Sequence, residues 1–462
     1  MKTHLMKTLG FCGLLATALA TNAAVTFTKI ADNTTLIPGG TGSFDSLSVT
    51  AQKNGTVLFT GSKGSFGVPG SQYGAYRWRQ GMLEKIADRN TVVPGTAETF
   101  FFVAPRDLDG QFCYLTGSAS SGFQGLFAWD GTNLTTLLNT SSTAPGTGAT
   151  FTGFTSARAD HGRVIVAATT SDGRRGLYLL YHGAVTTVAD TATPVPSGSG
   201  YFQNFDGSVN PPIAVENDTV AFMGTWNSSK ARGVYRFANG ALTRIADTTQ
   251  QFPGTNVTLS LPYVFLELRG DAIVFPAESY VGNGYSAYLR WTPNGGLTTL
   301  FDSDSLGPDG LKQGSVGGLF SYSYDLLTYI YQNSGTHGTR SWQNGQITSV
   351  LLSADTLDGK TVLGMNFYYG HLNSGLLALD VRFNDSSFGI YLLPVLPPIQ
   401  LHTVRLDAAH TRLSWNGWLG TGLQQRTALP LSNWQDVPGT DGASTIDITD
   451  TNSAAFFRTL RR

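Results

Sequence analysis

A short motif returns along the chain at nearly constant intervals. "KIADNTTLIPGG" begins at Lys29 and "KIADRNTVVPGT" begins at Lys85. The aspartate of the motif, or an asparagine in its place, recurs at Asp32, Asp88, Asn139, Asp190, Asp247, Asp302 and Asp355. The steps between these positions are 56, 51, 51, 57, 55 and 53 residues. Such a period is typical of an array or ring of similar units, so the chain is not divided like an ordinary multidomain protein.

Each repeat contains the same order of strand and turn signals. An alternating segment such as "KNGTVLFTG" precedes a glycine-led segment such as "GAYRW", and a tight turn then leads to a last segment such as "RQGMLEKIAD". Alternation with period two around Asn-Gly or Asp-Gly turns indicates antiparallel hairpins. Together with the phenylalanine-rich segment before them, they give four strands per repeat, which predicts one propeller blade.

The recurring motif is interpreted as the crossing from one blade to the next. Its aspartate can accept hydrogen bonds from backbone N–H groups two residues on, which begins a turn. The Pro-Gly that follows reverses the chain, because proline fixes φ and glycine accepts positive φ. The motif therefore ends an outermost strand and leads to the innermost strand of the following blade.

The first and last units are both incomplete. "GIYLL" at residues 389–393 is followed by Pro394 instead of a partner strand, and "VTFTKIAD" at residues 25–32 has no strands before it. We predict that the N-terminal strand completes the last blade. The result is an all-β, seven-bladed β-propeller over residues 25–394, closed so that no sheet edge is exposed.

The segments outside the repeats predict export and a second module. Residues 1–24 begin with lysines, continue with a short apolar run and end in small residues, as a signal peptide does. Residues 395–398 form a proline-rich linker. Residues 399–462 alternate and contain Pro-Gly and Asp-Gly turns, which predicts a small C-terminal β-sandwich-like module.

Composition excludes several classes of function. The net charge is −1 and charged residues make up 13% of the chain, against about 25% in typical proteins. No basic stripe is present, so we expect no nucleic-acid partner. No segment after the signal is apolar enough to cross a membrane. Only Cys113 remains after signal cleavage, so no disulfide framework is expected.

The tandem "IAD…PG…F…F" units of residues 26–393 resemble a loosely defined group of secreted bacterial propeller proteins. The tail, with "LQQRTALPLSNWQDVPG" and "FFRTLRR", is similar to a C-terminal module on exported proteins of environmental bacteria. Both groups are mostly uncharacterised. The resemblance implies a β architecture and a location in the periplasm, at the cell surface or outside a bacterium, and it transfers no catalytic residue.

Motifs of known enzymes are missing from the sequence. It contains no sialidase-type Ser-x-Asp-x-Gly-x-x-Trp box, no His-Glu-x-x-His and no paired cysteine spacing for zinc. Histidines and glutamates are scattered over unrelated repeat positions. The sequence leaves open whether two carboxylates meet across the axis, as a hydrolytic carboxylate pair must.

Two sets of residues are candidates for a binding site. Asp302, Asp304 and Asp309 offer oxygens in the glycine-bearing loop "FDSDSLGPDG", where calcium is the cofactor to consider, although the spacing departs from an EF-hand and turn capping is the simpler interpretation. Trp226 and Tyr280 lie in or near polar segments and could stack on sugar rings. The aromatic residues that recur in the third strand of each repeat are interpreted as packing between blades.

The leading hypothesis is a non-catalytic exported propeller that recognises a glycan, a protein or a surface through loops on one face. The alternative is a polysaccharide-acting hydrolase or lyase with its site at the mouth of the central channel. A third is a surface-layer component whose tail docks to a partner. An enzyme should gather carboxylates, histidines or arginines with perturbed pKa values at the axis.

Overall fold

The structure, a computed structural model, describes residues 26–395 with gaps at 66–67, 69, 197, 199, 206–211, 228–230, 262–264, 280–283, 315–318, 324, 334 and 368–369. Farther on it describes residues 402–406, 410–415, 421–426, 435–440, 445–449 and 456–461. The predicted signal peptide and most of the predicted linker lie outside these ranges, so the domain limits stay predictions. The described part contains strands and turns, and no helix in it could span a membrane.

Seven sheets form the blades of a β-propeller, as predicted. In blades 1 to 6 the strands follow chain order and are called a to d from the axis outward. Blade 1 comprises Ser46–Lys53, Thr56–Lys63, Gln72–Arg79 and Met82–Asp88. Blade 2 comprises Phe100–Asp109, Phe112–Ala119, Gln124–Trp129 and Leu134–Asn139. Blade 3 comprises Phe151–Asp160, Arg163–Thr170, Arg175–Tyr181 and Ala184–Asp190.

Strand a is short or interrupted in the remaining blades. Blade 4 comprises Ile213–Glu216, Thr219–Trp226, Ala231–Ala238 and Ala241–Asp247. Blade 5 comprises Leu259–Ser260 with Glu267–Arg269 as strand a, then Ala272–Ser279, Ser286–Thr292 and Gly296–Asp302. Blade 6 comprises Phe320–Ser323, Leu326–Asn333, Thr336–Gln343 and Gln346–Leu352. In blade 7, strand a consists of two pieces, Lys360–Asn366 and Leu372–Asn373, and strands b to d are Leu376–Phe383, Phe388–Pro394 and Thr28–Asp32. An additional short strand, Thr356–Leu357, pairs with Lys360–Asn366.

The N-terminal strand closes the ring, which confirms the prediction. Thr28–Asp32 pairs antiparallel with Phe388–Pro394, and Lys29 lies opposite Tyr391. Ile30 is buried in one cluster with Leu392 of blade 7 and Val57 of blade 1. Strands a contact one another in blade order, and strand a of blade 7 contacts that of blade 1.

Because neighbouring strands in a blade are antiparallel, the propeller has two distinct faces. The hairpin face carries the a–b and c–d turns. The loop face carries the b–c turns and the loops that join strand d of one blade to strand a of the next.

The recurring aspartates cap the turns that follow strand d, as interpreted from the sequence. Asp32 Oδ1 accepts hydrogen bonds from the backbone N–H of Thr34, at 2.9 Å, and from the hydroxyl of Thr35, at 3.0 Å. The backbone N–H of Asp32 donates in return to Thr35 Oγ1, at 2.9 Å. Equivalent bonds are made by Asp88, Asn139, Asp190 and Asp302. Burial raises the pKa of Asp32, but hydrogen bonds from Thr34, Lys29 and Thr35 outweigh it and lower the pKa to about 2.

Four buried positions, called here the corner set, recur under several of these loops. In blade 1 they are Ile37, Phe44, Gly61 and Tyr76. Phe44 meets Tyr76 edge to face, with ring centroids 5.1 Å apart. Gly61 makes room for the pair, because a Cβ there would lie 2.4 Å from the ring of Phe44. Blades 2 and 4 repeat the set, which confirms that the strand-c aromatics pack in the core.

Among the described residues of the C-terminal region, the strands form two three-stranded sheets. One comprises His402–Arg405, His410–Ser414 and Thr445–Thr449, and the other Gln435–Asp436, Thr421–Arg426 and Phe456–Arg461. Leu413 of the first sheet and Leu423 of the second lie in one buried cluster with Trp415. Two sheets packed over a shared core fit the predicted β-sandwich-like module.

We expect Ile30→Ala to destabilise the propeller by roughly 2–5 kcal/mol, because it leaves a cavity in the cluster at the closing seam. Thr28→Ala, at an exposed position of the same strand, is the control and should change the free energy of unfolding by less than about 0.5 kcal/mol. Denaturant unfolding of both variants measures the difference. Equal stabilities would contradict a closing role for this strand.

Candidate functional site

A pocket of about 780 Å³ opens on the loop face at the seam of blades 7 and 1. Its wall is formed by residues 45–48 of blade 1, by residues 363–366 and most of 380–389 of blade 7, and by His337 of blade 6. It is therefore built by both ends of the propeller sequence and not by one repeat.

Strand a of blade 7 is irregular next to the pocket. The strand bulges between Val362 and Gly364 and is interrupted after Asn366. Its two pieces pair with different parts of strand b, Asn366 with Asp380 and Leu372 with Leu377. Residues 363–366, which follow the bulge and precede the interruption, line the pocket.

Asp380 holds the seam together at the pocket. Its Oδ1 accepts a hydrogen bond from the backbone N–H of Val49, at 2.9 Å, and its Oδ2 accepts one from the hydroxyl of Ser48, at 3.2 Å. Desolvation raises the pKa of Asp380 to about 7, although these two hydrogen bonds and the charge of Arg382 act in the opposite direction. The pocket thus contains a carboxyl group that changes its protonation state near neutral pH.

Several polar side chains of the pocket wall are uncommitted. Within the described ranges, the side chains of His337, Asn366, Arg382 and Asn384 make no hydrogen bond or ion pair. Leu363 adds apolar surface to the same wall and is 60% exposed. The arrangement offers a cation, two amides and an imidazole to a ligand, beside an apolar contact.

The axis of the ring carries a second group of charged side chains, toward the hairpin face. Lys53, Asp107, Arg158, Glu267 and Arg269 surround a cavity of only about 20 Å³. A cavity of this size holds about one water molecule. Charged residues thus converge at the axis, as expected for an enzyme, but they leave no room for a substrate.

The axial side chains connect blades to one another. Asp107 Oδ2 accepts a hydrogen bond from the backbone N–H of Ala159, at 2.8 Å, and Lys53 Nζ donates to the carbonyl of the same residue, at 2.7 Å. Glu267 Oε1 accepts from the backbone N–H of Gly370, at 2.7 Å, and from the hydroxyl of Ser321, at 3.1 Å. Burial raises the pKa of Glu267, and its neighbour Arg269 opposes that shift. These contacts join different blades and so stabilise the closed ring.

Trp226 is not presented to solvent. It is the last residue of strand b in blade 4 and is 5% exposed. Its ring meets Tyr235 edge to face, with centroids 6.1 Å apart, inside a buried cluster. Trp226 was predicted to be exposed and to stack on sugar rings. The structure corrects this prediction, because strand b continues through Trp226 and buries its ring. Tyr280 lies outside the described residues.

The predicted calcium loop sends its three carboxylates to different partners. Asp302 accepts from the hydroxyls of Ser305 and Tyr285. Asp304 pairs with Lys312, at 2.6 Å, and Asp309 pairs with Arg340, at 2.6 Å. In the part of the chain that the structure describes, no three His, Cys, Asp or Glu residues are grouped to hold a metal ion. The loop in this arrangement therefore gathers no calcium ligand set.

Asp309 has this partner because blade 6 replaces the whole corner set. Gly307, Gln313, Tyr331 and Arg340 stand where blade 1 has Ile37, Phe44, Gly61 and Tyr76. The Arg340 guanidinium lies 3.4 Å from the ring centroid of Tyr331 and donates to Gln313 Oε1, at 3.1 Å. A Cβ at Gly307 would lie 2.3 Å from Arg340 Nη1, so the glycine makes room for the guanidinium. The arginine at a repeat position that is Tyr or Phe in blades 1 to 4 was the sequence signal for this site.

Residues 13–268 match a family described as being of unknown function, DUF7453. This chain belongs to the DUF7453 family. No curated protein matches the sequence of this DUF7453 chain.

Solved structures similar to the DUF7453 chain share little sequence with it. The acylaminoacyl peptidase of Pyrococcus horikoshii has a TM-score of 0.46 at 10% identity, covering 80% of this chain and 57% of its own, so the chain spans just over half of that peptidase. The polysaccharide lyase Uly1 has a TM-score of 0.44 at 10% identity, with 80% and 98% covered. The SapL1 lectin in complex with alpha methyl fucoside has a TM-score of 0.34 at 10% identity, with 66% and 94% covered. These likenesses assign no function.

In this DUF7453 protein, Arg340→Tyr alone should destabilise the fold by about 3 kcal/mol, because it leaves Asp309 without its cation and removes one of the two hydrogen bonds to Gln313 Oε1. The fourfold variant Gly307→Ile, Gln313→Phe, Tyr331→Gly and Arg340→Tyr rebuilds the set of blade 1 and should recover most of the loss. Denaturant unfolding of both variants compares them. A fourfold variant no more stable than the single one would show that the four positions are independent.

The raised pKa of Asp380 predicts a pH dependence of stability. Its folded pKa of about 7 lies above the unfolded value of about 3.9, so its contribution is complete below pH 4 and is lost as pH rises through 7. The free energy of unfolding of the natural protein should therefore fall relative to that of Asp380→Asn between pH 4 and pH 7, by at most about 1.4 kcal/mol per pH unit. Parallel pH profiles of the two proteins would contradict the shift.

Proposed function

We propose that this chain is an exported binding propeller that takes a saccharide unit of a glycan in the pocket at the seam of blades 7 and 1. The observation that carries the proposal is the set of uncommitted polar side chains around a concavity of about 780 Å³. This volume is within the range of about 300–1,000 Å³ that is usual for small-molecule sites.

The lining fits the chemistry of a sugar. Amides such as those of Asn366 and Asn384 both donate and accept, so they can bind neighbouring hydroxyls of one ring. The exposed side chain of Leu363 offers an apolar surface for the C–H face of the ring. A concave pocket also suits a saccharide better than a protein partner, whose interfaces bury about 800 Å² on each side. Export is supported by the signal-like residues 1–24.

One observation favours a second candidate function, hydrolysis of a polysaccharide. Asp380 has a pKa raised to about 7 inside the pocket, as a general acid requires, and Asp45 brings a second carboxylate to the same wall. If the pocket hydrolyses glycans, Asp380→Asn should abolish the formation of hydrolysis products while the protein still binds the glycan. Reducing-end assays on polysaccharides that the protein binds distinguish an enzyme from a binding protein.

The proposal is tested by glycan-array binding of the purified protein and of Ser46→Trp, which places an indole in the pocket wall. The control is Met82→Trp, which adds an indole at an exposed position on the hairpin face of blade 1. We expect saccharide binding that Ser46→Trp reduces at least about tenfold and Met82→Trp leaves unchanged. Equal binding by both variants would place any glycan site elsewhere, and no binding by the natural protein would overturn the proposal.

A further inference from the structure

We infer that the pocket selects saccharides that carry an anionic oxygen group, a carboxylate or a sulfate, and that Arg382 recognises this group. The inference rests on the proposed function, because it names the class of saccharide that the same pocket takes. Arg382 lies in strand b of blade 7, opposite Phe388 of strand c and Gly364 of strand a. Its side chain is exposed on the pocket wall.

The carboxylates around Arg382 are all engaged by other groups. Asp380 accepts from Val49 and Ser48, and Asp45 Oδ2 accepts from the backbone N–H of Gly64, at 2.8 Å. Asp385, in the b–c turn beside the pocket, pairs with Lys360 at 3.2 Å and accepts from the backbone N–H of Ser387 at 2.9 Å. Within the described residues, the guanidinium of Arg382 forms no ion pair or hydrogen bond, although its charge acts on Asp380.

Guanidinium chemistry specifies the complementary group. Its planar pair of N–H donors matches a carboxylate or a sulfate in a two-point hydrogen-bonded contact, which a single hydroxyl cannot reproduce. The concave wall around Arg382 excludes part of the solvent and so strengthens this charge pair relative to bulk water. The burial of Asp380 favours its neutral form at mildly acidic pH, which reduces its competition for the same cation.

The remaining groups of the wall contribute to orientation. The side chains of His337, Asn366 and Asn384 carry no negative charge and make no hydrogen bond within the described ranges. They are available to hydroxyls of the sugar whose anionic group lies against Arg382. The division of roles predicts that a neutral sugar of the same ring shape keeps these contacts and loses only the charged one.

The test compares trigalacturonic acid with galactotriose, which differ in bearing carboxylates or hydroxymethyl groups, and with a sulfated galactotriose. Isothermal titration of the full-length protein at pH 6 measures each affinity. We expect the acidic or the sulfated trisaccharide to bind at least about tenfold more tightly than the neutral one. Arg382→Ala should weaken binding of the anionic trisaccharides at least about tenfold more than binding of galactotriose and so remove the preference, and Arg382→Lys should keep part of it.

The matched control is Arg79→Ala, which removes an exposed arginine at the end of strand c on the hairpin face of blade 1. It should leave all three affinities unchanged. Equal affinity for neutral and anionic trisaccharides would overturn the inference and leave the saccharide site standing. A preference that survives Arg382→Ala would overturn the role of Arg382. No binding of any saccharide, in this test and on the array, would overturn the proposed function itself.

Discussion

The pairing of Thr28–Asp32 with Phe388–Pro394 is the constraint on which the rest of the structure depends. Without it, strand c of blade 7 would be an open sheet edge, and a ring with an unpaired edge is prone to association with other chains. The same pairing buries Ile30 between blades 7 and 1. The pairing also completes blade 7, which contributes most of the pocket wall.

Polar contacts on the hairpin face align each of several blades with the following one. The last residue of strand a often accepts a hydrogen bond from the a–b turn of the following blade. Asp109 accepts from Gly162, Asp160 from Asn217, and Asn373 from Asn54. Hydrophobic packing alone tolerates sliding between blades, whereas these directional bonds specify one register. The charged axis extends this role, since a buried ionic group that loses its partner is strongly destabilising.

The sequence was sufficient for the fold because the fold is made of local signals used many times. Asp32 and its repeats cap turns through neighbours two and three residues away, so their role is visible in a short window. The closing strand could be predicted because a missing strand at one end matched a surplus strand at the other. These features depend on spacing along the chain, which is what a sequence displays.

The pocket could not be predicted, because it depends on contacts between distant positions and on an irregular strand. Asp380 and Val49 are 331 residues apart and meet only when the ring is closed. Trp226 was expected at the surface because polar residues follow it, whereas strand b continues through it into the core. Arg340 is an intermediate case, since comparison of the repeats exposes it but only the structure shows its partners.

A site shared by the first and last blades has a consequence for biogenesis. During synthesis the chain emerges from its amino terminus, so residues 45–48 are made some three hundred residues before their counterparts at 363–389. Truncated or stalled chains would contain most blades and yet lack the complete pocket. A complete pocket would then be a property of finished molecules only, because ring topology postpones its assembly to the end of synthesis.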